Sequence, residues 1–272
     1  MNRLLRWMLR RRVVASRSLA LATTVASLLA GSTIACHPAF DPKIYPQPDQ
    51  LFEVGLKEYN AKHWENAAAA FEQLTHVLAA RDPLLPRAYF YLGAAQDNGG
   101  DHLLAAQSYS RLAESFPEDS LAPLALLTGG RAYAKMWRRP QLDPQYGDRA
   151  MQTLEQVLSL YPDSPLVPTA KAEIAQLDAE FAMKDYNIGH YYLKRHAYDS
   201  AIIYLKDVIR LHPGAPTARD AYLLLHDAYR AIKYTDDARD LCQEMLKHYS
   251  NDREVVATCG SGSSAAASTP RT

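Results

Sequence analysis

One spacing of apolar residues recurs five times along the chain and constrains its fold more than any other feature. In each copy an alanine is followed after four residues by a larger side chain and after seven by Leu, Val or Met. The five alanines are Ala67, Ala105, Ala150, Ala201 and Ala238. These offsets place all members of a copy on one stripe of an α-helix. Because a helix with a single apolar stripe cannot bury it alone, we expect the copies to stack on one another.

A second helix is predicted before each stripe. Its marks are a glycine twelve positions before the alanine and a proline twelve positions after it, as in Gly93 and Pro117 around Ala105. Proline at that distance ends the helix that carries the stripe and turns the chain into the next copy. The order of small residue, Tyr, Ala, large residue and Pro resembles the tetratricopeptide repeat (TPR), a helix pair of about 34 residues. The sequence therefore predicts an all-α fold, an α-solenoid of five TPR-like helix pairs whose concave surface binds other chains.

The expected repeats are not uniform in length. We place them at about 49–82, 84–118, 120–163, 165–213 and 216–250, within a repeat region of 49–252. In the third pair a proline-containing loop over 137–147 separates the helices, and Asp148 is predicted as the N-cap of the helix that follows. The fourth pair opens with one long helix over about 168–193. Its predicted buried face consists of Ile174, Leu177, Phe181 and Ile188.

The front of the chain has the pattern of an export signal. Residues 1–35 contain no acidic residue. Six arginines lie within the first 17 positions, and an apolar run over 19–35 follows them. A basic start, a short hydrophobic middle and small residues at the exit are typical of a signal peptide. Cys36 directly follows that exit and resembles the lipidated cysteine of bacterial lipoproteins, although Thr33 stands where Leu is usual. The alternative is a plain signal peptide followed by a chance cysteine.

Lipidation of Cys36 predicts a periplasmic protein anchored to a membrane, because several acyl chains make a stable anchor. His37 follows the cysteine where an Asp would mark retention at the inner membrane, so the outer membrane is favoured. Residues 36–48 hold four prolines and are predicted to form an extended tether. At the other end, residues 253–272 are rich in Gly, Ser, Ala and Thr, and we predict a disordered tail.

Composition excludes several classes of function. Without residues 1–35, the 30 basic residues fall to 24 against 30 acidic ones, so the mature chain is acidic and no nucleic-acid partner is expected. Neither a catalytic motif nor a metal-binding pattern is present in the sequence, so we expect no enzyme activity, no cofactor and no metal. Cys242 occupies a stripe position and is predicted as a small buried hydrophobe. A disulfide with Cys259 in an oxidising compartment is the alternative.

Several short motifs carry a resemblance to a known family. They are DPQ at 143–145, YPDS at 161–164, GHYYLK at 189–194, AYDSAI at 197–202, ARDA at 218–221 and AYR at 228–230. Together with the lipoprotein signal, the third-pair loop and the long helix, they resemble BamD, the lipoprotein family of the outer-membrane β-barrel assembly machine. The resemblance covers about residues 40–250.

The resemblance implies a scaffold with several partners. Its C-terminal repeats would dock on a POTRA domain of the barrel-forming subunit, and its N-terminal repeats would receive unfolded outer-membrane proteins. Accessory assembly lipoproteins are further implied partners. Tyr204 stands where the family has a contact arginine. The candidates for POTRA binding are Tyr192, Lys194, Tyr204, Lys206, Arg210, Tyr229 and Arg230.

Candidates for binding the substrate peptide are Tyr59, Tyr89 and Tyr91, since Tyr offers apolar area and a hydroxyl at low entropic cost. Packing between repeats is the alternative role for these tyrosines. The alternative function is that of a TPR pilotin or another cell-envelope lipoprotein, associated with secretin, Tol or peptidoglycan.

Overall fold

Eleven α-helices and one short 3-10 turn make up the regular structure in the computed structural model, which describes residues 40–139 and 143–263. The 3-10 turn spans Pro42–Ile44. In chain order the helices are α1 (Pro48–Asn60), α2 (Trp64–Val77), α3 (Leu85–Gly99), α4 (His102–Ser115), α5 (Ala122–Met136), α6 (Gln145–Leu160), α7 (Val167–Lys194), α8 (Tyr198–Leu211), α9 (Ala218–Ala231), α10 (Thr235–His248) and α11 (Arg253–Ser263). No β-strand occurs in these two stretches, and the predicted all-α class is confirmed.

Helices α1 to α10 form five consecutive pairs, and each pair contains one stripe. The five stripe alanines are all buried, in α2, α4, α6, α8 and α10. Four of the pairs are closed by turns of two or three residues. Each short turn has one residue with left-handed backbone, namely Lys62, Gly100, His196 or Lys233. This conformation lets the second helix fold back at once on the first, so that the stripe packs against its partner.

The third pair departs from this pattern in its connection. Its helices are separated by residues 137–144, of which 140–142 lie outside the described residues. Trp137 of this connection is buried, and its ring lies 4.3 Å from the ring of Phe181 in α7. Helix α6 begins at Gln145 with Pro144 as its cap, so the prediction of Asp148 as N-cap is wrong. Asp148 lies within the first turn instead, where its charge still complements the helix dipole.

Helix α7 is the long helix that the sequence predicts, with 28 residues. Leu177 is buried, and Ile174 and Phe181 pack half-buried against the same core, which is built mainly from α4, α5 and α6. Ala182, one residue beyond Phe181, belongs to a second core formed with α8 to α11. The helix thus contributes to two successive cores, and this explains why it must be longer than the others.

The predicted disordered tail is wrong for residues 253–263, which form α11. The carboxylate of Asp252 accepts hydrogen bonds from the backbone N–H groups of Glu254 and Val255 and so caps the helix. Val255 is fully buried, and a disulfide joins Cys242 of α10 to Cys259 of α11. The prediction of Cys242 as a simple buried hydrophobe is therefore corrected to a buried disulfide partner. Residues 264–272 lie outside the described residues.

The predicted signal peptide and Cys36 fall within residues 1–39 and also lie outside the described residues. The described part of the predicted tether is not extended throughout. Residues Pro42–Ile44 form the 3-10 turn, which lies against α2, and α1 already begins at Pro48. Proline fixes φ near −65°, a value that a 3-10 turn also accepts, so Pro42 is compatible with the start of this turn.

Candidate functional site

A groove of about 730 Å³ crosses the C-terminal repeats and is formed by α8, α9 and α10. It is lined by Ile203, Lys206, Asp207, Ile209, Arg210, Leu225, Tyr229, Asp237, Asp240, Leu241 and Glu244. Three of these residues, Lys206, Arg210 and Tyr229, are among the predicted partner-binding residues. More of the predicted partner-binding residues line this groove than lie together anywhere else among the described residues.

One wall of the groove is a single stripe of α8. Ile203, Lys206, Asp207 and Arg210 are spaced by three, one and three residues, which places them on one helix face. Asp207 accepts a hydrogen bond from the guanidinium of Arg210 at 2.7 Å. Ile203 is 60% exposed and lies at the rim of the groove. This wall is basic with an apolar edge.

The opposite wall is a stripe of α10 with the opposite charge. It presents Asp237, Asp240 and Glu244 around the buried Leu241. Glu244 accepts a hydrogen bond from the hydroxyl of Tyr222 at 2.7 Å, which fixes its carboxylate at the groove. These three acids are not among the residues predicted from the sequence, because acidic residues on a helix are usually only solvated. Their spacing of three and four residues was the signal that could have revealed a common face.

The floor of the groove belongs to α9. Leu225 and Tyr229, four residues apart, are both buried and point to the same side. Burial, and secondarily the charge of Asp237, raises the pKa of Tyr229, so its hydroxyl remains a neutral hydrogen-bond donor. The ring of Tyr229 stacks on the half-exposed ring of Tyr234 at 6.3 Å. The floor is therefore largely apolar.

The other predicted partner residues lie outside this groove. The rings of Tyr192 and Tyr204 stack on each other at 5.8 Å with an interplanar angle of 12°, and both are half-buried. Tyr204 lies two positions from Lys206 and hence on a different face of α8. Lys194, at the end of α7, and Arg230, on α9, are exposed. The structure thus separates a tyrosine pair between α7 and α8 from the charged groove.

Two of the three predicted substrate tyrosines come together in the N-terminal repeats. Tyr59 of α1 and Tyr91 of α3 have ring centroids 5.7 Å apart. Tyr91 also stacks on the buried Phe71 at 5.4 Å, and Tyr59 meets Trp64 edge-on at 5.2 Å. Burial raises the pKa of Tyr59, whose hydroxyl accepts a hydrogen bond from Asn98. Both rings are half-buried, so they combine packing between repeats with exposed area.

Tyr89 does not join this aromatic cluster. Its ring lies 6.5 Å from Phe116, and it packs on the core of the middle repeats. Tyr89 and Tyr91 are two positions apart along α3, which turns their side chains to different faces of the helix. The predicted substrate site is thus divided between two places.

The described part of the chain shows no arrangement suited to binding a metal ion. Within it, no three His, Cys, Asp or Glu side chains are grouped so that they could hold a metal ion. The grooves and aromatic clusters described above offer recognition by charge, apolar area and hydrogen bonds.

Comparison with known proteins gives the family. Residues 45–246, well over half of the chain, match the model of the YfiO family, whose description is outer membrane lipoprotein. This chain belongs to the YfiO family. The membership decides between the BamD resemblance and the pilotin alternative in favour of the former. YfiO proteins with this repeat fold are scaffolds, and the chain is not an enzyme.

Individual relatives agree with the YfiO assignment. The chain is 26% identical over 197 residues to the outer membrane protein assembly factor BamD of Xylella fastidiosa strain Temecula1, a match covering 66% of each chain, just under two thirds. It is 22% identical over 240 residues to BamD of Caulobacter vibrioides, covering 86% of this chain and 78% of the relative. Both relatives are named outer membrane protein assembly factors, and the chain shares with them the YfiO family, which is described as outer membrane lipoproteins.

A solved structure supports the fold alone. The crystal structure of a TPR repeats protein from Bacteroides fragilis aligns with a TM-score of 0.50 at 16% identity, covering 80% of this chain and 99% of that one. The predicted α-solenoid of TPR-like pairs is confirmed. Among residues 40–139 and 143–263, no helix combines the length and the apolar character that crossing a bilayer demands.

Proposed function

We propose that this YfiO-family chain is a lipid-anchored periplasmic scaffold of the outer-membrane β-barrel assembly machine. It holds the POTRA-bearing barrel subunit at its C-terminal repeats and unfolded outer-membrane proteins at its N-terminal repeats. The observation that carries the proposal is the groove across α8, α9 and α10, because it brings the exposed Lys206 and Arg210 beside the buried Tyr229 of its floor.

The groove has the composition of a protein interface. A buried apolar floor surrounded by charged walls resembles the arrangement of apolar core and polar rim in protein–protein interfaces. Tyr and Arg are the residue types most often found at energetic hot spots, and the groove contains one of each. The opposite charges of its walls favour specificity and a fast association rate.

The aromatic cluster around Tyr59 and Tyr91 supports a separate site for substrate. The rings lie edge to face, in the arrangement that aromatic side chains prefer, and the hydroxyl of Tyr59 lies next to Asn98. An extended segment rich in aromatic residues would find matching rings and hydrogen-bonding groups there. Tyr89 lies apart from these rings and is assigned to packing between repeats.

Holding two proteins on one chain has a calculable benefit. When substrate and barrel subunit share one scaffold, their encounter becomes intramolecular, with effective concentrations in the millimolar range for short connections. Acylation of Cys36 would add confinement to the membrane surface, where the barrel must insert. The scaffold needs no chemistry of its own for this task.

Affinity capture from detergent-solubilised membranes tests the proposal. The tagged full chain is expected to recover a POTRA-containing barrel protein, identified by mass spectrometry. Reversing the basic wall with Lys206→Glu and Arg210→Glu together is expected to reduce that recovery at least tenfold. The matched control is Arg111→Glu with Lys171→Glu, which makes the same charge change at exposed positions outside the groove. Equal recovery by both double variants would refute docking in the groove.

A further inference from the structure

The two walls of the groove carry opposite charges along the same length. On α8 the charged residues are Lys206, Asp207 and Arg210, and on α10 they are Asp237, Asp240 and Glu244. The lining stripes run from residue 203 to 210 and from 237 to 244, about 10 Å or two helical turns each. The basic wall has a net charge of +1 and the acidic wall −3. The groove is thus polarised across its width.

Part of this charge is already neutralised within the chain. Asp207 is paired with Arg210 at 2.7 Å, and Asp240 lies 3.8 Å from the Nε of Arg239. Lys206 and Asp237 have no ion-pair partner within 4.0 Å in the described part of the chain, and they lie on opposite walls. Glu244 also lacks an ion-pair partner among the described residues, although it accepts a hydrogen bond from Tyr222. One cation, Lys206, and two anions, Asp237 and Glu244, are therefore available to a ligand on opposite sides of the apolar floor.

We infer that the occupant of this groove is an amphipathic helix of the docked protein, about two turns long, with acidic residues on one edge and basic residues on the other. Its apolar stripe would lie on Leu225 and Tyr229, between Ile203 and Leu241. Helical ridges at three- and four-residue spacing fit the grooves between other helices, and both walls present that spacing. This inference rests on the proposed function and defines the chemistry of the docking element.

The polarised walls also define a direction. Turning a helix end for end in the groove exchanges its two edges, which would place acids against Asp237 and bases against Lys206. Like charges at an interface are costly and exclude the wrong arrangement. A partner with one charge on both edges would be repelled by one wall in either direction. The groove therefore selects a split-charge helix and holds it in a single orientation.

Three synthetic helical peptides of equal length test the inference. All share the same leucine stripe. One carries Glu on one edge and Lys on the other, the second carries Glu on both edges, and the third carries Lys on both. Binding to the full chain is measured by fluorescence anisotropy at low salt. The split-charge peptide is expected to bind at least tenfold more tightly than either of the others.

Variants of the chain make the result specific to the groove. Lys206→Glu with Arg210→Glu gives two acidic walls, and the preference is expected to move to the all-Lys peptide. Asp237→Lys with Asp240→Lys is expected to move it to the all-Glu peptide. Glu114→Lys with Glu155→Lys, at exposed positions outside the groove, should leave the preference unchanged.

Two outcomes would overturn the inference: equal binding of the three peptides, or a preference that the wall variants do not move. Failure of the peptide test with intact capture of the barrel protein would leave the proposed docking standing and remove only the split-charge helix. If the barrel protein is not captured but the peptides bind with the predicted preferences, the split-charge helix would stand and the docking of the barrel subunit would be removed. The two proposals can thus fail separately.

Discussion

The backbone of Gly189 lies directly against the side chain of Leu205, whose Cγ would be only 2.8 Å from a Cβ atom placed on the glycine. Gly189 is in α7 and Leu205 is the large residue of the α8 stripe. The third pair repeats this relationship, with Leu154 Cγ 2.7 Å from a Cβ built on Gly130. In both pairs the two helices approach so closely that there is no room for a methyl group.

Replacing Gly189 by Ala should therefore destabilise the protein. Overpacking costs about 1–3 kcal/mol, and the higher helix propensity of Ala returns about 1 kcal/mol. We expect a net loss of about 1 kcal/mol in the free energy of unfolding, measured by urea denaturation. Gly99→Ala is the matched control, because its nearest neighbour outside its own helix is Trp64 Cβ at 3.4 Å. It should be neutral or stabilising, and a destabilisation equal to that of Gly189→Ala would contradict the account.

The disulfide between Cys242 and Cys259 should decide whether α11 stays docked. It closes a segment with a sequence separation of 17, for which chain entropy gives about 3 kcal/mol as an upper estimate. Cys259→Ser is expected to increase proteolysis after Arg253, with little change in the helices before it. Reductant should have the same effect on the wild type and no further effect on the variant. A wild type equally resistant with and without reductant would show that the other contacts of α11 suffice.

Acid should loosen α11 through Asp252. Hydrogen bonds from Arg219 lower the pKa of Asp252 to about 2 from the ordinary 3.8. Since the folded pKa is lowered, the contribution to stability is complete above about pH 4 and is lost as the pH falls toward 2. Unfolding by urea between pH 4.5 and 2.5 measures this loss. Asp252→Asn keeps a capping side chain without the charge and should flatten the dependence in that range. An unchanged slope would remove Asp252 as the cause.

Cys36→Ser tests the proposed anchor. Without the thiol of residue 36 no diacylglyceryl group can be attached to the chain. The variant could then be held at the membrane only through its protein partners, and we expect this association to be weaker than that of an acylated chain. We expect the variant to move largely from the membrane pellet to the soluble periplasmic fraction. The measurement is immunoblotting of the two fractions after cell fractionation and a high-salt wash of the membranes. Tight association of the salt-washed variant with membranes would count against lipidation.

The repeat architecture was accessible to sequence reasoning because one stripe of residues reports the packing of each helix pair. The fifth pair shows the limit of that reasoning. At the position of the small residue twelve before Ala238 stands His226, which is buried, and at the large position stands Cys242. The larger side chain, His226, thus stands at the small position and the smaller one, Cys242, at the large position. Cys242 forms a disulfide with Cys259. A rule that asks only for an apolar stripe does not reveal such an exchange.

The tail and the groove were missed for different reasons. Composition suggested disorder after residue 252, whereas α11 is held by a capping carboxylate, the Arg219 ion pairs and a disulfide, all of which depend on distant residues. Lys206 and Arg210 were identified through the family resemblance. The acidic wall of α10 became visible only when α9 brought it opposite α8, because a pattern along one helix does not tell which other helix it faces.

Calorimetric titration of the purified chain with the purified POTRA region of the barrel subunit from the same organism tests the central claim most directly. The account predicts saturable one-to-one binding that weakens at least tenfold, about 1.4 kcal/mol, in Lys206→Glu with Arg210→Glu, and that is unchanged in Arg111→Glu with Lys171→Glu. Absence of binding by the wild type, or equal affinities for the two double variants, would contradict it.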